Sequence, residues 1–208
     1  RMPWADRSGP ARATVHPCSS AFICGYHPPM AEPVIQRAHA FLRAHSRGDL
    51  RFDEHLRPLK YIVGPDGRLA APVMEAMLQS VDTVLFVPAC EEDAMEIMVT
   101  FERFEESGPD GALADRWRIY HGEPADVRWA AMSLDAARFE GHIIDGDALM
   151  IPNPLAAAEP ALCRWLNTEH AADLQAICLK FGGAEAEKPV IVGIDDRGLD
   201  ARRAFDVI

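Results

Sequence analysis

Along "AMEIMVTFERFEE", residues 94–106, apolar and polar positions alternate. Met95, Ile97, Val99 and Phe101 fall on one side, and Glu96, Met98, Thr100 and Glu102 on the other. A period of two marks a half-buried antiparallel strand. "LKYIVGPDGRLAAPV", 59–73, reads as a hairpin. Its Gly64-Pro65-Asp66-Gly67 places proline, aspartate and glycine for a type I turn followed by a glycine bulge. "DTVLFVP", 82–88, is a mostly apolar strand ended by Pro88, and "VRWAAMSL" and "ARFEGHIIDG" predict two more, with Gly141 as a bulge.

Elsewhere the period is helical. Val34, Ala38, Phe41, Leu42 and His45 recur three or four apart and predict a helix over 31–46, with Pro33 tolerated in its first turn. His39 and His45 are six apart, so they read as face or edge residues and not as a ligand pair. A short helix is expected in "APVMEAMLQS" and another over 112–121, carrying Leu113, Trp117 and Tyr120. "NTEHAADLQAICLKFGG", 167–183, predicts a single amphipathic helix. Asn167 or Thr168 would cap its start and Gly182-Gly183 its end. Leu174, Ile177, Cys178 and Phe181 share one face, and His170, four residues before Leu174, joins it. A last hairpin follows, "PVIVGI" and "LDARRAFDVI" joined by a turn at 195–198.

Antiparallel strands with separate helices imply an α+β fold, the sheet rolled into a barrel. The expected division is a disordered or non-native tail over 1–30, a barrel domain over 31–150, a Pro- and Ala-rich linker over 151–160, and a small C-terminal α/β domain over 161–208. The tail carries five prolines (3, 10, 17, 28 and 29) and no apolar core of a signal peptide.

Composition narrows the function classes. The 208 residues carry a net charge of -11, which argues against nucleic acid and against an anionic membrane surface as partners. No apolar run approaches the ~18 residues of a spanning helix. The five cysteines are odd in number and form no CxxC, against a disulfide framework or a zinc knuckle, and the expected compartment is the cytoplasm. There is no GxGxxG, no GxxxxGK[ST], no GxSxG and no HExxH. The abundant carboxylates read as a solvated face.

The C-terminal segment, "WLNTEHAADLQAICLKFGG" followed by "VIVGIDDRGLDARRAFDVI", resembles the small C-terminal domain of the haem-utilisation split-barrel proteins. The resemblance rests on Asn167, His170, Ala171 and Asp173, on Phe181-Gly182-Gly183, and on Gly193, Ile194, Asp195, Gly198, Leu199 and Asp200. Upstream, 59–73 resembles the first hairpin of the FMN-binding, pyridoxamine-phosphate-oxidase-like split barrels. The resemblance implies an antiparallel split β-barrel, a homodimer, and a site for haem, a related tetrapyrrole or FMN. A flavin phosphate wants cationic donors along the strands. Residues 82–110 instead hold nine carboxylates against Arg103 alone, which disfavours FMN.

Within that resemblance His170 is the candidate axial ligand to haem iron, with Glu169 or Asp173 as its hydrogen-bonded carboxylate. Arg164, Arg202 and Arg203 are candidate partners for the propionates. His142, beside Gly141, is the second candidate ligand. The opposing reading makes both histidines packing residues. Three functions stand open: a haem or tetrapyrrole binder, degrading haem or only carrying it; a flavin-dependent oxidoreductase; and a cofactor-free binding or scaffolding protein. Trp117, Trp129 and Trp165 read as core or interface aromatics.

Overall fold

The computed structural model describes residues 32–125, 128–182, 187–203 and 206–207. The expected tail over 1–30 lies outside them, as does Gly183. Eight strands form one antiparallel sheet: β1 (Arg47–Phe52), β2 (His55–Lys60), β3 (Ile62–Val63), β4 (Leu69–Pro72), β5 (Thr83–Val87), β6 (Met95–Phe104), β7 (Trp129–Phe139) and β8 (His142–Asp145). Their order is β2-β1-β5-β6-β7-β4-β3, with β8 also paired to β7. β4 takes the Trp129–Met132 end of β7, and β8 takes its Ala136–Phe139 end.

β2 and β3 stand at opposite ends of this order, yet only Tyr61 separates them in sequence. Seven strands laid flat span roughly 29 Å at about 4.8 Å per neighbour. One residue advances the chain by about 3.8 Å. Both hold only if the sheet curls enough to bring the Lys60 end of β2 beside the Ile62 end of β3. The Tyr61 N–H donates to the Ser46 carbonyl at 2.9 Å. Helix α3 (Gly111–His121) straps this seam: Trp117 Nε1–H donates to the Lys60 carbonyl at 3.1 Å, and His121 Nε2–H to the Tyr61 carbonyl at 3.0 Å. The protein is thus α+β, built on a curled antiparallel half-barrel.

Period-two alternation sorts the side chains. Tyr61, Leu69, Ala71, Ala130 and Met132 join one core with Leu50, Phe52, Leu85, Ile97 and the Val34-Ala38-Leu42 stripe of helix α1 (Glu32–Arg43). Their neighbours Ile62, Ala70, Trp129 and Ala131 join a second core, on the opposite face, under Leu113, Trp117 and Tyr120 of α3. Helix α2 (Glu75–Gln79) follows β4. After β8 come α4 (Glu159–Glu169), α5 (Ala171–Gly182), and a three-stranded sheet of β9 (Val190–Ile194), β10 (Leu199–Arg203) and β11 (Asp206–Val207). Leu174 and Cys178 of α5 pack on Ile191, Ile194 and Ala201 of this sheet.

Several expectations need correction. The 167–183 segment is not one helix: α4 already begins at Glu159, within the expected linker, and the helix breaks at His170, whose backbone (φ -121°, ψ 16°) ends α4 before α5 begins. Phe181 is 77% exposed and off the Leu174 stripe. The two strands expected between 127 and 146 are divided differently. One unbroken strand runs from Trp129 to Phe139, and Glu140-Gly141, both at positive φ (48° and 75°), form a tight turn where a bulge was expected. The β1–β2 hairpin is an addition, since its charged sequence "RGDLRFDEHLRP" masked the inward Leu50 and Phe52. The 64–67 turn matches expectation: Gly64 N–H donates to the Arg68 carbonyl at 2.7 Å, and Gly67 adopts φ +88°.

His39 is buried on the flank of α1 that meets the 195–198 turn, with no hydrogen-bond partner for its Nδ1. Nearby, Arg43 pairs with Asp195. Burial, then the charges of Arg197 and Arg43, lower the His39 pKa to about 4. Because the folded value lies below the unfolded ~6.5, the unfolded chain takes up the proton first as pH falls. Stability is therefore full above ~6.5 and declines down to about pH 4. Urea unfolding of wild type at pH 7.5 and pH 5.0 should show a loss of about 2 kcal/mol from this group, absent in His39→Leu; equal losses in the two proteins would refute the assignment.

Candidate functional site

Four polar side chains meet where α3, α4 and the β9–β10 hairpin converge. Arg116 donates from both terminal nitrogens to Glu159 (2.9 and 3.0 Å), and one of them also reaches the Tyr120 hydroxyl (3.1 Å). That hydroxyl donates to Asp200 Oδ2 at 2.6 Å. Glu159 also accepts the Ile194 N–H at 2.9 Å. Side-chain exposure is 16% for Arg116 and 7% for Glu159, so each charge is out of water and stands only because the other neutralises it. Burial first, then the Asp200 charge, raise the Tyr120 pKa, so the phenol stays protonated as the donor to Asp200.

Two hollows flank this network. The larger, about 530 Å³, is a cleft between α3 and α4 beneath β9, walled by Leu113, Ile119, Pro160, Cys163 and Val190, with Arg116 and Glu159 also lining it. Burial, then the Glu159 charge, push the Cys163 thiol up to about 11, so it is a neutral wall and not a thiolate nucleophile. The smaller, about 290 Å³, lies at the seam and is lined by Arg43, His45, Ser46, Tyr61, Tyr120 and Asp200, among others.

The residues that marked the C-terminal segment have structural positions. Asn167 does not cap a helix start; it clamps Ile191, donating to its carbonyl at 2.9 Å and accepting its N–H at 2.8 Å. Asp195 accepts the N–H groups of Arg197 (2.8 Å) and Gly198 (3.0 Å). Burial opposes its charge, but these donors and Arg43 outweigh it and hold its pKa below the ordinary value. Gly193 leaves the room that the Tyr120 hydroxyl occupies. A Cβ there would overlap that oxygen and lie 2.7 Å from Asp200 Oδ2.

His170, the first candidate ligand, sits at the α4–α5 break with its side chain 39% exposed. Its Nδ1 is 3.3 Å from Asp173 Oδ2, and its ring meets Trp165 edge-on at 4.4 Å between centroids. Trp165 is 51% exposed, unlike the buried Trp117 and Trp129. Arg164 is exposed on α4, and Arg202 holds the Ile119 carbonyl at 2.6 Å. His142 is exposed at the start of β8, close to Glu140 of the Arg37–Glu140 pair. His121, at the end of α3, is the buried seam donor. No group of three or more His, Cys, Asp or Glu among the described residues is arranged to hold a metal ion. Of the network, the sequence reading singled out only Asp200 of the motif and Tyr120 as a core position. Glu159 carries the one usable signal: it is the single charge between Asp147 and Arg164.

The fold has a solved counterpart. The crystal structure of the protein Atu2129 (unknown function) from Agrobacterium tumefaciens strain C58 is similar, with a TM-score of 0.59 at 16% identity, covering 88% of this chain and 90% of that one. At that identity the likeness speaks for the fold alone. No protein-family model matches the sequence, and no curated protein does either. No helix among the described residues is long and apolar enough to cross a membrane.

The packing at Gly193 is directly testable. Gly193→Ala should lower unfolding stability by more than about 2 kcal/mol by driving a methyl into the Tyr120 hydroxyl. In a Tyr120→Phe background the same change should cost clearly less, and a denaturant double-mutant cycle reads the difference. Additive losses would mean that the hydroxyl is not what the glycine accommodates.

Proposed function

We propose that this chain is a homodimeric protein of split-barrel type that binds haem or a related tetrapyrrole through His170. The observation that carries the reading is the state of that imidazole. The helix break brings it half out of the surface, Asp173 engages Nδ1, and Trp165 braces the ring. A carboxylate on Nδ1 sets the tautomer so that Nε2 bears the lone pair, as a metal-ligating histidine requires. The residues present therefore fit the group. His170 would ligate the iron, Trp165 would offer an exposed aromatic surface beside it, and Arg164, one residue before Trp165, is available to a propionate. Bound haem supplies an iron centre for ligand exchange or electron transfer; the chain supplies its ligand and the carboxylate that orients it.

Flavin fits less well. Arg68, Arg103, Arg128 and Arg138, the arginines on or beside β4, β6 and β7, each pair with a carboxylate: Asp66 and Asp110, Glu105, Glu75, and Glu96 respectively. A dianionic phosphate would have to displace one of these anions. The curled sheet and the Gly64–Gly67 hairpin support the split-barrel reading without requiring flavin.

A haemin titration followed by visible absorption, on wild type and His170→Ala together, tests the proposal. Saturable binding with an imidazole-type spectrum, weakened at least tenfold in the variant, is expected. Binding unchanged in the variant would overturn His170 as the ligand and turn attention to His142. Absence of saturable binding would favour a cofactor-free scaffold. Sedimentation at several concentrations should show a dimer; a persistent monomer would remove that part of the proposal.

A further inference from the structure

Helix α1 meets the tip of the β9–β10 hairpin at His39 and Arg43, which are one helical turn apart and share a flank of the helix. Arg43 pairs with Asp195, each side chain 12% exposed, so the pair is mostly out of water. The same carboxylate organises the turn, its Oδ1 accepting the Arg197 and Gly198 N–H groups. The base of the hairpin is fastened elsewhere: the Ile194 N–H donates to Glu159, its carbonyl accepts from Asn153, and Asp200 accepts the Tyr120 hydroxyl. The tip can therefore leave α1 while the base stays in place. The charged groups that bear on the His39 ring are Arg43 on α1 and Asp195, Asp196 and Arg197 in the turn, two cations against two anions. His39 is buried, and its Nδ1 has no hydrogen-bond partner among the described residues. An imidazolium there would add a third cation to a balanced contact and bury an N–H without an acceptor. With the turn lifted, water would solvate it.

We propose that His39 is the trigger of an acid-sensitive latch, its protonation undocking the 195–198 turn from α1 while the base of the hairpin stays fastened. Docked, burial and then the two arginine charges hold the His39 pKa at about 4; undocked, it returns to the ordinary ~6.5. The undocked form takes up the proton first as pH falls, so acid favours it. Between pH 7.5 and 5.0 the undocking equilibrium shifts by roughly 25-fold. Arg43 and Leu199, which follows the turn, also line the seam hollow, so undocking loosens one wall of it. This latch is separate from His170 and does not depend on the tetrapyrrole reading.

Amide hydrogen exchange read by NMR on the full chain, corrected for the intrinsic rate at each pH, follows the latch at the Arg197 and Gly198 N–H groups. At pH 7.5 these amides should be far less protected than the buried amides of β6 and β7, which report opening of the whole fold. At pH 5.0 their protection in wild type should fall by roughly 25-fold. In His39→Leu it should change by less than about threefold, since no group there takes up the proton. His39→Gln, neutral at both pH values and polar, serves where the leucine disturbs folding. An equal fall in the folded variants, or no fall in wild type, overturns the proposal. So does protection of the turn equal to that of β6 and β7 at both pH values, because the tip would then open only with the whole fold.

Discussion

A guanidinium and a carboxylate that are both nearly out of water can exist only as a pair. Removing one partner of such a pair typically costs about 3–5 kcal/mol, because the other is left as a buried unpaired charge. Arg116 belongs to α3 on the half-barrel, and Glu159 opens α4 of the C-terminal unit. Their geometry therefore ties the start of α4 and, through the Ile194 N–H, β9 to α3. Once the pair is made, the Tyr120 hydroxyl is held beside it and Asp200 must accept it. β9 must then pass with no side chain at position 193. Each of these constraints follows from the one before.

The same helix solves a second problem. Arg116 and Tyr120 point to the C-terminal unit, while Trp117 and His121, one position on from each, point to the seam between β2 and β3. Two adjacent i, i+4 pairs give one short helix two working edges. The Lys60 and Tyr61 carbonyls need donors because the chain there leaves the edge strand at one end of the sheet and enters the edge strand at the other. A buried tryptophan indole and a buried imidazole supply them. That is why His121 is inside, although a histidine in the last turn of a helix would also be favoured by the helix dipole in water. A single element thus straps the β2–β3 connection of the curled sheet and docks the segment that follows it.

Local patterns were legible in the sequence, and pairings between distant residues were not. The alternation of 94–106, the Gly64–Gly67 turn and the α3 face with Leu113, Trp117 and Tyr120 are written in neighbouring residues, so they can be read there. The β1–β2 hairpin is a charged edge with only every second residue of β1 turned inward, and its surface chemistry hides its strand character. The break at His170 has no glycine or proline to announce it. It arises because Asn167 is bound to the Ile191 backbone while Leu174 must bury against Ile191, Ile194 and Ala201, and one straight helix does not serve both. The Arg116–Glu159 pair joins residues 43 apart, and nothing near Arg116 distinguishes it from a surface arginine.

The structure also changes what the C-terminal motif means. Asn167 spends both polar atoms on a strand, Asp195 serves a turn and an arginine, Asp200 receives a tyrosine, and Gly193 is an empty volume that the tyrosine requires. These residues account for themselves by packing. His170 stands apart from them. Its backbone closes α4 and opens α5, its N–H donating to the Leu166 carbonyl and its carbonyl accepting from Asp173 and Leu174. Any residue able to adopt that backbone could do the same. The ring adds only an exposed contact with Asp173 and Trp165, which contributes little to stability at a solvated surface. The imidazole, like the exposed Phe181 ring, is therefore a group of the motif that the packing of the fold does not by itself require.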